Sequence, residues 1–182
     1  MKGMRSDIVR ILLTRREIAS KVAELGKKLS REYTGLEPLM ACVLKGSAIF
    51  FSDLCRQMDI PVQMDFIAAA SYGRHSGSSG EVRLIKDLDV SIEGRHVLVV
   101  EDILDTGLTL HYLTEMLRSR KPASLKVCVL LDKPGRRRVA FEPDYFGFVI
   151  PNEFVVGYGL DYAEMYRNLP DICILKEEIY KK

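Results

Sequence analysis

The sequence lacks the features that mark membrane, secreted or strongly nucleic-acid-binding proteins. Its 182 residues carry a formal net charge of only +2, so no overall field favours nucleic acid or an acidic surface. The longest apolar runs, such as Val97–Val100 and Val127–Leu131, are far too short to span a bilayer. The N-terminal stretch has no long apolar core and no small-residue cleavage site, so no signal peptide is expected.

Cysteine is scarce and scattered. The four cysteines, Cys42, Cys55, Cys128 and Cys173, are widely spaced without a C-x-x-C pair, and three of them lie in apolar runs. This pattern predicts reduced thiols in a cytoplasmic protein, and it argues against a disulfide framework or a structural zinc site. The glycine-rich dinucleotide fingerprint and the Walker A lysine motif are also missing, which excludes two common nucleotide-binding motifs.

What the chain does contain is an alternation of short apolar runs and amphipathic segments. Hydrophobic residues make up 47% and charged residues 29%, a balance typical of one globular domain. Strands are predicted at residues 38–44, 61–72, 96–103, 125–131, 148–150, 155–160 and 172–175, and helices from a capping box at Thr14–Glu17 to about Gly35, at 48–58 and at 108–120. Near-continuous apolar strands alternating with helices predict an α/β fold, with a parallel sheet flanked by helices.

One stretch departs from this composition. Gly73–Gly80 holds three glycines and three serines among eight residues, and the partly alternating run Glu81–Leu88 follows it. A hairpin-like excursion with a flexible tip is expected there. Neither an internal repeat nor an interdomain linker is found, so residues 1–182 are interpreted as a single domain.

Polar, glycine-containing turns follow three of the predicted strands. They are Lys45-Gly46-Ser47, Glu101–Thr109 and Asp132–Gly135. Ligands of open parallel sheets bind beyond the carboxyl ends of the strands, so the three turns are expected to converge on one site.

The second of these turns combines acids with a helix start. Glu101 and Asp102 follow the run Val-Leu-Val-Val, and Asp105-Thr106-Gly107-Leu108-Thr109 leads into the next helix. Backbone N–H groups at a helix start and two threonine hydroxyls form an anion pocket, while the acids suit a cation or sugar hydroxyls. A phosphorylated sugar with magnesium would satisfy both. The alternative, that Asp105 or Thr106 caps the helix and that Glu101 and Asp102 are solvated, stays open on the residues alone.

The order of the motifs resolves this choice through a family resemblance. The segment VLVVEDILDTGLTL resembles the phosphoribosyl pyrophosphate (PRPP) motif of type I phosphoribosyltransferases, in their hypoxanthine-guanine branch. Lys45-Gly46-Ser47 resembles the pyrophosphate loop of this family, and Ser71-Tyr72 with the Gly/Ser stretch, about residues 71–82, resembles its flexible lid. Leu131-Asp132-Lys133 and Pro151–Arg167 resemble its purine-binding segment. The similarity covers roughly residues 10–175.

The resemblance implies a fold and a reaction. The fold is a parallel sheet flanked by helices, with a small hood built from the N- and C-terminal segments. The reaction is purine salvage, in which hypoxanthine, and guanine as a second base, reacts with PRPP to give IMP or GMP and pyrophosphate. A homodimer or homotetramer is expected in the cytoplasm, with small-molecule substrates, Mg²⁺ as cofactor, and neither a membrane nor a nucleic acid as partner.

The resemblance also assigns roles around PRPP. Asp105 is the expected general base near N7 of the purine. Glu101 and Asp102 are expected to hold the ribose hydroxyls, directly or through metal-bound water, with Asp161 as a further metal carboxylate. The remaining PRPP contacts are assigned to Lys45, Gly46 and Arg167 at the pyrophosphate, and to Asp105, Thr106, Gly107, Leu108 and Thr109 at the 5′-phosphate. Leu108 stands where some family members carry lysine.

The resemblance assigns the purine contacts to Lys133, Phe154, Val155 and Asp161. The Lys133 ammonium has donors only, so it matches the 6-oxo group of hypoxanthine or guanine and confronts the 6-amino group of adenine with a second donor. Phe154 is expected to stack on the purine ring, and Val155 to offer backbone groups. The ordinary alternatives are a solvated lysine at a strand end and a core aromatic residue.

Two further questions stay open at this level. The triplet Arg136-Arg137-Arg138 could bind an anion or RNA, although a solvated loop or a subunit contact is the favoured interpretation. A regulator that binds nucleotides and RNA on the same fold is the competing function, because fold alone does not decide activity. A xanthine-preferring enzyme is a third option.

Overall fold

Alternate residues of the central strands pack on opposite faces of the sheet, and this alternation places the helices. The computed structural model describes residues 3–71 and 82–181. Its strands are β1 Ile8–Leu13, β2 Leu39–Leu44, β3 Gln63–Ser71, β4 Val82–Lys86, β5 His96–Leu104, β6 Ser124–Asp132, β7 Tyr145–Val149, β8 Val155–Val156 and β9 Ile172–Leu175. Its α-helices are α1 Arg15–Glu32, α2 Ala48–Gln57, α3 Leu108–Arg118 and α4 Glu177–Tyr180.

The main sheet has six strands in the order β4-β3-β2-β5-β6-β7. Only β4 runs antiparallel to its neighbour β3, while the other adjacent pairs are parallel. The α/β fold with a mostly parallel sheet and flanking helices, predicted from the sequence, is therefore confirmed.

The two faces of this sheet form separate hydrophobic clusters. One face packs against α1 and α2 and takes the residues Met40, Cys42, Leu98, Val100, Cys128 and Leu130. The other face packs against α3 and takes Leu39, Ala41, Val43, Val97, Val99, Val127 and Val129. Successive side chains of a strand point to opposite faces, so a strand covered on both sides must be apolar throughout. This explains why the central strands appear in the sequence as unbroken apolar runs.

A second, three-stranded sheet has the order β1-β9-β8 and is antiparallel. It joins the N-terminal segment to the C-terminal one, since Ile8 pairs with Leu175 and Leu13 with Ile172. The sequence did not predict β1. The strand is mostly exposed, with Val9 and Ile11 largely open to solvent, so it lacks the buried alternation that identifies a strand.

Several boundaries differ from the predicted ones. The run 155–160 forms a strand only at Val155–Val156, because Gly157 and Gly159 take φ values of +100° and +101° and turn the chain. The predicted excursion after β3 exists as the antiparallel pair of β3 and β4. Its expected flexible tip at Gly73–Gly80, with Tyr72, lies outside the described residues.

All four cysteines are free thiols, as the spacing predicted. Within residues 3–71 and 82–181, no helix combines the length and the apolar character needed to cross a bilayer.

The capping box predicted at Thr14–Glu17 gives a first stability test. The Thr14 hydroxyl accepts a hydrogen bond from the Glu17 backbone N–H at 3.3 Å, and the Glu17 carboxylate accepts one from the Thr14 N–H at 2.8 Å. We expect Thr14→Ala to lower the free energy of unfolding by about 1 kcal/mol, because a first-turn N–H of α1 loses its partner. Urea denaturation followed by circular dichroism measures this change.

Ser52→Ala, on the exposed side of α2, is the matched control. Its hydroxyl donates to the Ala48 carbonyl within the helix, a contact that contributes little, and we expect a change within about 0.5 kcal/mol. Equal midpoints for Thr14→Ala and the wild type would contradict a stabilising cap.

Candidate active site

The two adjacent acids lie within β5, and not beyond its end as the sequence suggested. Pairing between β2 and β5 stops at Cys42 and Val100, whereas pairing between β5 and β6 continues to Leu104 and Asp132. Glu101 and Asp102 therefore occupy a stretch of β5 that has a neighbour on one side only. The missing neighbour opens a gap at the carboxyl edge of the sheet, and the acids border it.

Burial of these acids opposes their ionisation. Asp102 is only 7% exposed, and its backbone N–H donates to the Glu101 carboxylate at 3.1 Å. Removal from water, together with the neighbouring negative charge of Asp102, raises the pKa of Glu101 well above its ordinary value. Burial also raises the pKa of Asp102. The pair thus favours any ligand that brings positive charge or hydrogen-bond donors.

The gap continues into a cavity of about 390 Å³. Its walls combine the acids, the turn that follows them, the end of β2 and one residue of the C-terminal segment: Val43, Leu44, Ala69, Glu101, Asp102, Ile103, Leu104, Asp105, Thr106, Gly107, Thr109, Leu110 and Asp161. One face of this cavity is acidic and the opposite wall is a helix start, so it suits a ligand that carries both an anionic group and hydroxyls or a cation.

Glycine at position 46 allows the β2–α2 turn to approach the acids. A Cβ atom placed on Gly46 would lie 1.9 Å from the Asp102 Oδ2 atom, and a Cβ on Gly159 would lie 2.0 Å from the Gly46 carbonyl oxygen. The turn is therefore held between β5 and the C-terminal segment. Any side chain at position 46 would push it away from Asp102.

Two cations predicted to meet an anion share one carboxylate in the structure. The Glu164 Oε2 atom lies 3.1 Å from Lys45 Nζ and 3.3 Å from an Arg167 guanidinium nitrogen. Arg167 also lies 3.0 Å from the Asp161 carboxylate and donates to the Gly159 carbonyl at 2.8 Å. The structure thus brings Lys45 together with Asp161 and Arg167, although Lys45 is more than 100 residues from either of them in sequence.

The helix start that follows the acids is capped by a glycine. Gly107 has φ of +82° and precedes α3, and a Cβ there would lie 3.0 Å from Val139 Cγ2. The left-handed backbone explains why glycine is required at this position. Gly107 occupies the N-cap position, and Asp105 does not cap the helix, because its carboxylate accepts a hydrogen bond from Arg136. The Thr106 hydroxyl does accept a hydrogen bond from a first-turn donor, the Leu108 N–H, at 3.5 Å.

Asp105 lies at the cavity and accepts a hydrogen bond from Arg136 Nε at 3.0 Å. Thr106, Leu108 and Thr109 follow it, and all three are half-buried around the first turn of α3. Because both side chains of the Asp105–Arg136 pair are partly exposed, this ion pair contributes little to stability, and the carboxylate remains accessible from the cavity.

Lys133 is buried and not solvated. It is 7% exposed, its Nζ donates to the Glu153 carbonyl at 2.7 Å, and burial lowers its pKa. Its backbone N–H donates to the Leu104 carbonyl at 3.0 Å, which ties the end of β6 to the end of β5. An ammonium has three donors, so the bond to Glu153 leaves two for a ligand.

Phe154 and Val155 directly follow Glu153, whose carbonyl oxygen accepts the hydrogen bond from Lys133 Nζ. Neither residue lines the cavity of the acids. The Phe154 ring stacks on Tyr180 of α4, with centroids 4.5 Å apart and planes at 19°, and meets Tyr162 edge-on at 5.7 Å. Val155 is buried and pairs with Ile174. Ser71 ends β3, and Tyr72 lies outside the described residues.

Within the arginine triplet, Arg136 and Arg138 are exposed, as the solvated-loop interpretation expects, but Arg137 is not. Most of the Arg137 side chain is covered, and its guanidinium is turned toward the ends of β5 and β6. The presence of Asp132 five residues earlier is the only sequence signal of a buried partner. Tyr180 and Glu164 were also missed, because their contacts join segments that are distant in sequence.

The donor set suits magnesium held jointly with a ligand. Among the described residues no group of three or more histidine, cysteine or carboxylate side chains converges on one point. The carboxylates of Glu101, Asp102 and Asp161 border one cavity instead. Mg²⁺ usually keeps several waters and takes one or two protein carboxylates together with substrate phosphates, which is the arrangement this cavity offers.

Comparison with known proteins agrees with this geometry. Residues 9–163 match the family described as phosphoribosyl transferase domain. The chain is 51% identical to the hypoxanthine-guanine phosphoribosyltransferase of Bacillus subtilis (strain 168), an alignment that covers 98% of this chain and 99% of that protein. A crystal structure of a hypoxanthine phosphoribosyltransferase from Staphylococcus aureus superimposes with a TM-score of 0.94 at 49% identity, with 100% of both chains covered.

Other relatives are much longer. The bifunctional protein TilS/HprT of Listeria innocua serovar 6a is 54% identical over 181 residues, which is 100% of this chain but 28% of that protein. This chain therefore spans little more than a quarter of the length of these bifunctional relatives.

The raised pKa of Glu101 predicts an unusual dependence of stability on pH. A carboxyl whose pKa is higher in the folded chain than its ordinary 4.5 stabilises the fold while protonated, and this contribution is lost as the pH rises through the folded pKa. At pH 8 we therefore expect Glu101→Gln to have a higher Tm than the wild type, and the gap to shrink toward pH 5. A stability gain of 1 kcal/mol corresponds to about 2–4 °C for a chain of this size.

Differential scanning calorimetry without divalent cations measures both proteins, with Glu93→Gln on an exposed turn as the control expected to follow the wild type. A Glu101→Gln protein that is no more stable than the wild type at pH 8, or a gap independent of pH, would contradict the burial argument.

Proposed function

We propose that this chain, which belongs to the phosphoribosyltransferase family, transfers the 5-phosphoribosyl group of PRPP to hypoxanthine and to guanine, giving IMP or GMP and pyrophosphate. The reaction belongs to purine salvage. Its chemistry requires one site that holds a phosphate, ribose hydroxyls and pyrophosphate while a purine approaches the anomeric carbon.

One observation carries the proposal: the adjacent acids Glu101 and Asp102 and the glycine-capped start of α3 line the same cavity, and Asp105 lies between them in sequence. The first turn of a helix presents N–H groups and a positive dipole end, so it takes the 5′-phosphate at Thr106–Thr109. The acids then meet the ribose hydroxyls. One strand-to-helix turn therefore carries both the residues for the 5′-phosphate and the acids for the hydroxyls of the same ribose.

Pyrophosphate is assigned to the mouth of this cavity. Lys45 and Arg167 already share the Glu164 carboxylate, so an incoming pyrophosphate group can replace that carboxylate between the two cations. The backbone at Gly46 lies close enough to the acids to contribute N–H donors. Departure of pyrophosphate leaves positive charge on the ribose ring, as in other displacements at an anomeric carbon.

Magnesium fits the acidic wall, and Glu101, Asp102 and Asp161 are the residues that would hold it, directly or through water. When bound, the ion supplies charge neutralisation for the pyrophosphate oxygens. The raised pKa of Glu101 supports this assignment, because a buried acid that resists ionisation in the free protein gains most from a nearby cation.

Asp105 is the proposed general base. As the purine N9 atom bonds to the anomeric carbon and the bond to pyrophosphate breaks, the N7 proton moves to the Asp105 carboxylate. Arg136 donates to one carboxylate oxygen, which orients the group and leaves the other oxygen for the proton.

Lys133 selects the base. One of its ammonium N–H groups donates to the Glu153 carbonyl, and a second donates to the 6-oxo group of the purine. Phe154 stacks on the purine with the ring face opposite Tyr180, and Val155 contributes backbone groups near Asp161. The lid is assigned to Ser71, Tyr72 and the glycine-serine stretch after them.

The proposed setting is the cytoplasm, where free thiols persist, and four free cysteines support it. The partners are small molecules, with neither nucleic acid nor a membrane, and the chain acts as a homodimer or a homotetramer.

Pyrophosphate release measured with hypoxanthine, guanine, xanthine and adenine tests the function. Release with hypoxanthine and guanine is expected. Release with adenine only, or with none of the four bases, would overturn the proposal.

Asp105→Asn tests the proton transfer. The amide keeps the shape and can still accept from Arg136, but it cannot take the N7 proton, so we expect kcat to fall by about 10²–10⁴ while PRPP binding changes little. Steady-state kinetics and calorimetry of PRPP binding separate the two effects. Asp59→Asn, at an exposed position, is the control with unchanged kinetics, and full turnover in Asp105→Asn would remove Asp105 from the role of base.

Lys133→Met tests base selection. The thioether keeps much of the side-chain length and removes the donor, so kcat/KM for hypoxanthine should fall, by up to about 10⁴-fold, while PRPP binding stays near normal. The variant need not gain adenine activity, because the rest of the pocket is unchanged. Lys27→Met on the exposed side of α1 is the matched control. Wild-type efficiency on hypoxanthine in Lys133→Met would place the purine pocket elsewhere.

A further inference from the structure

The three consecutive arginines after β6 have different environments. Arg136 and Arg138 are exposed, whereas the Arg137 side chain is only 14% exposed. Arginine is rarely buried unless its charge and its donors are satisfied. The partners of Arg137 therefore indicate what this residue holds in place.

The Arg137 guanidinium donates to four carbonyl oxygens. One terminal nitrogen donates to the carbonyls of Leu104 at 2.7 Å, Asp105 at 2.7 Å and Lys133 at 3.1 Å. The Nε atom donates to the Phe141 carbonyl at 3.2 Å, and the other terminal nitrogen binds the Asp132 carboxylate. The planar fork of a guanidinium can serve several fixed acceptors at once, which an ammonium cannot match.

These acceptors belong to the two turns that carry Asp105 and Lys133. In the proposed reaction Asp105 serves N7 and Lys133 serves the 6-oxo group, which are neighbouring positions on one edge of the purine. Both contacts form together only if the two turns keep a fixed separation, and functional groups must be held within about 0.5 Å of their productive positions.

The backbone alone supplies part of this connection. Lys133 N–H donates to the Leu104 carbonyl at 3.0 Å, and Arg138 N–H donates to the Thr106 carbonyl at 2.9 Å. Neither bond reaches the Asp105 carbonyl or the Lys133 carbonyl, and Arg137 binds both of them from a single nitrogen.

We propose that Arg137 is a positioning residue that fixes the general base Asp105 relative to the base-selecting Lys133, and thereby sets both the rate with 6-oxopurines and the discrimination against adenine. The inference rests on the proposed function. It assigns no contact between Arg137 and any substrate.

Arg137→Lys is the test variant, because it retains the positive charge next to Asp132 and removes the fork. A misplacement of about 1 Å can cost about 10²-fold in rate. We expect kcat/KM for hypoxanthine to fall by about 10–100-fold and the hypoxanthine-to-adenine ratio to fall about tenfold. KM for PRPP should stay within about twofold of the wild type, because Arg137 binds the carbonyls of Leu104 and Asp105, which precede the phosphate-binding residues Thr106–Thr109, and none of the N–H groups of those residues. Arg138→Lys is the matched control, and all its parameters should equal those of the wild type.

A second variant protects the test from misfolding. Arg137→Gln combined with Asp132→Asn removes both buried charges together, so no unpaired charge is left behind. In this double variant kcat/KM for hypoxanthine and the hypoxanthine-to-adenine ratio should fall as in Arg137→Lys, while KM for PRPP changes little. Its Tm, measured in parallel, shows whether the variant is folded.

The outcomes separate two failures. A wild type that releases no pyrophosphate with hypoxanthine overturns the proposed function and this inference with it. An active wild type with unchanged selectivity in both variants, or with PRPP and base parameters that worsen equally as Tm falls, overturns the positioning role alone and leaves Arg137 as a structural residue.

Discussion

Two adjacent carboxylates within one strand, Asp102 buried and Glu101 half-buried, are the constraint on which the cleft depends. Glu101 and Asp102 follow four apolar residues of β5, and the strand continues past them to Leu104. Burial raises the pKa of Glu101 and makes its negative charge costly in the absence of a cation or donors. The sheet accommodates the pair only because β2 stops pairing after Cys42, which leaves the acids beside a cavity and not beside another strand.

The second constraint is that three turns from distant parts of the chain must keep their positions around that cavity. The turn after β2 approaches Asp102 because position 46 is glycine, and the turn after β5 leaves for α3 through the left-handed Gly107. The turn after β6 is tied to that of β5 by backbone bonds and by the Arg137 guanidinium. The first two turns require a glycine because a side chain would clash or strain the backbone. The third depends on backbone hydrogen bonds and on the Arg137 guanidinium.

The three-stranded sheet brings the C-terminal segment to the same cavity. Residues 157–167, which connect β8 to β9, lie against the β2–α2 turn, where Gly159 packs on the Gly46 carbonyl and Glu164 meets Lys45. Asp161 reaches the cavity of the acids in this way. The connection between β8 and β9 thus completes a cleft whose other walls come from the main sheet and from the start of α3.

The sequence by itself determined the central sheet, its helices and the turns that bear the polar residues. Apolar runs such as Leu39–Leu44 must be buried on both faces, and local spacing marks the capping box at Thr14, so these features need no distant partner. Tertiary structure alone decided that β1 is a strand, that Gly107 and not Asp105 caps α3, and that the Arg137 side chain is largely covered while Arg136 and Arg138 are exposed. The physical reason is that each of these outcomes depends on pairing or burial by chain segments outside its own local sequence, which spacing and composition do not encode.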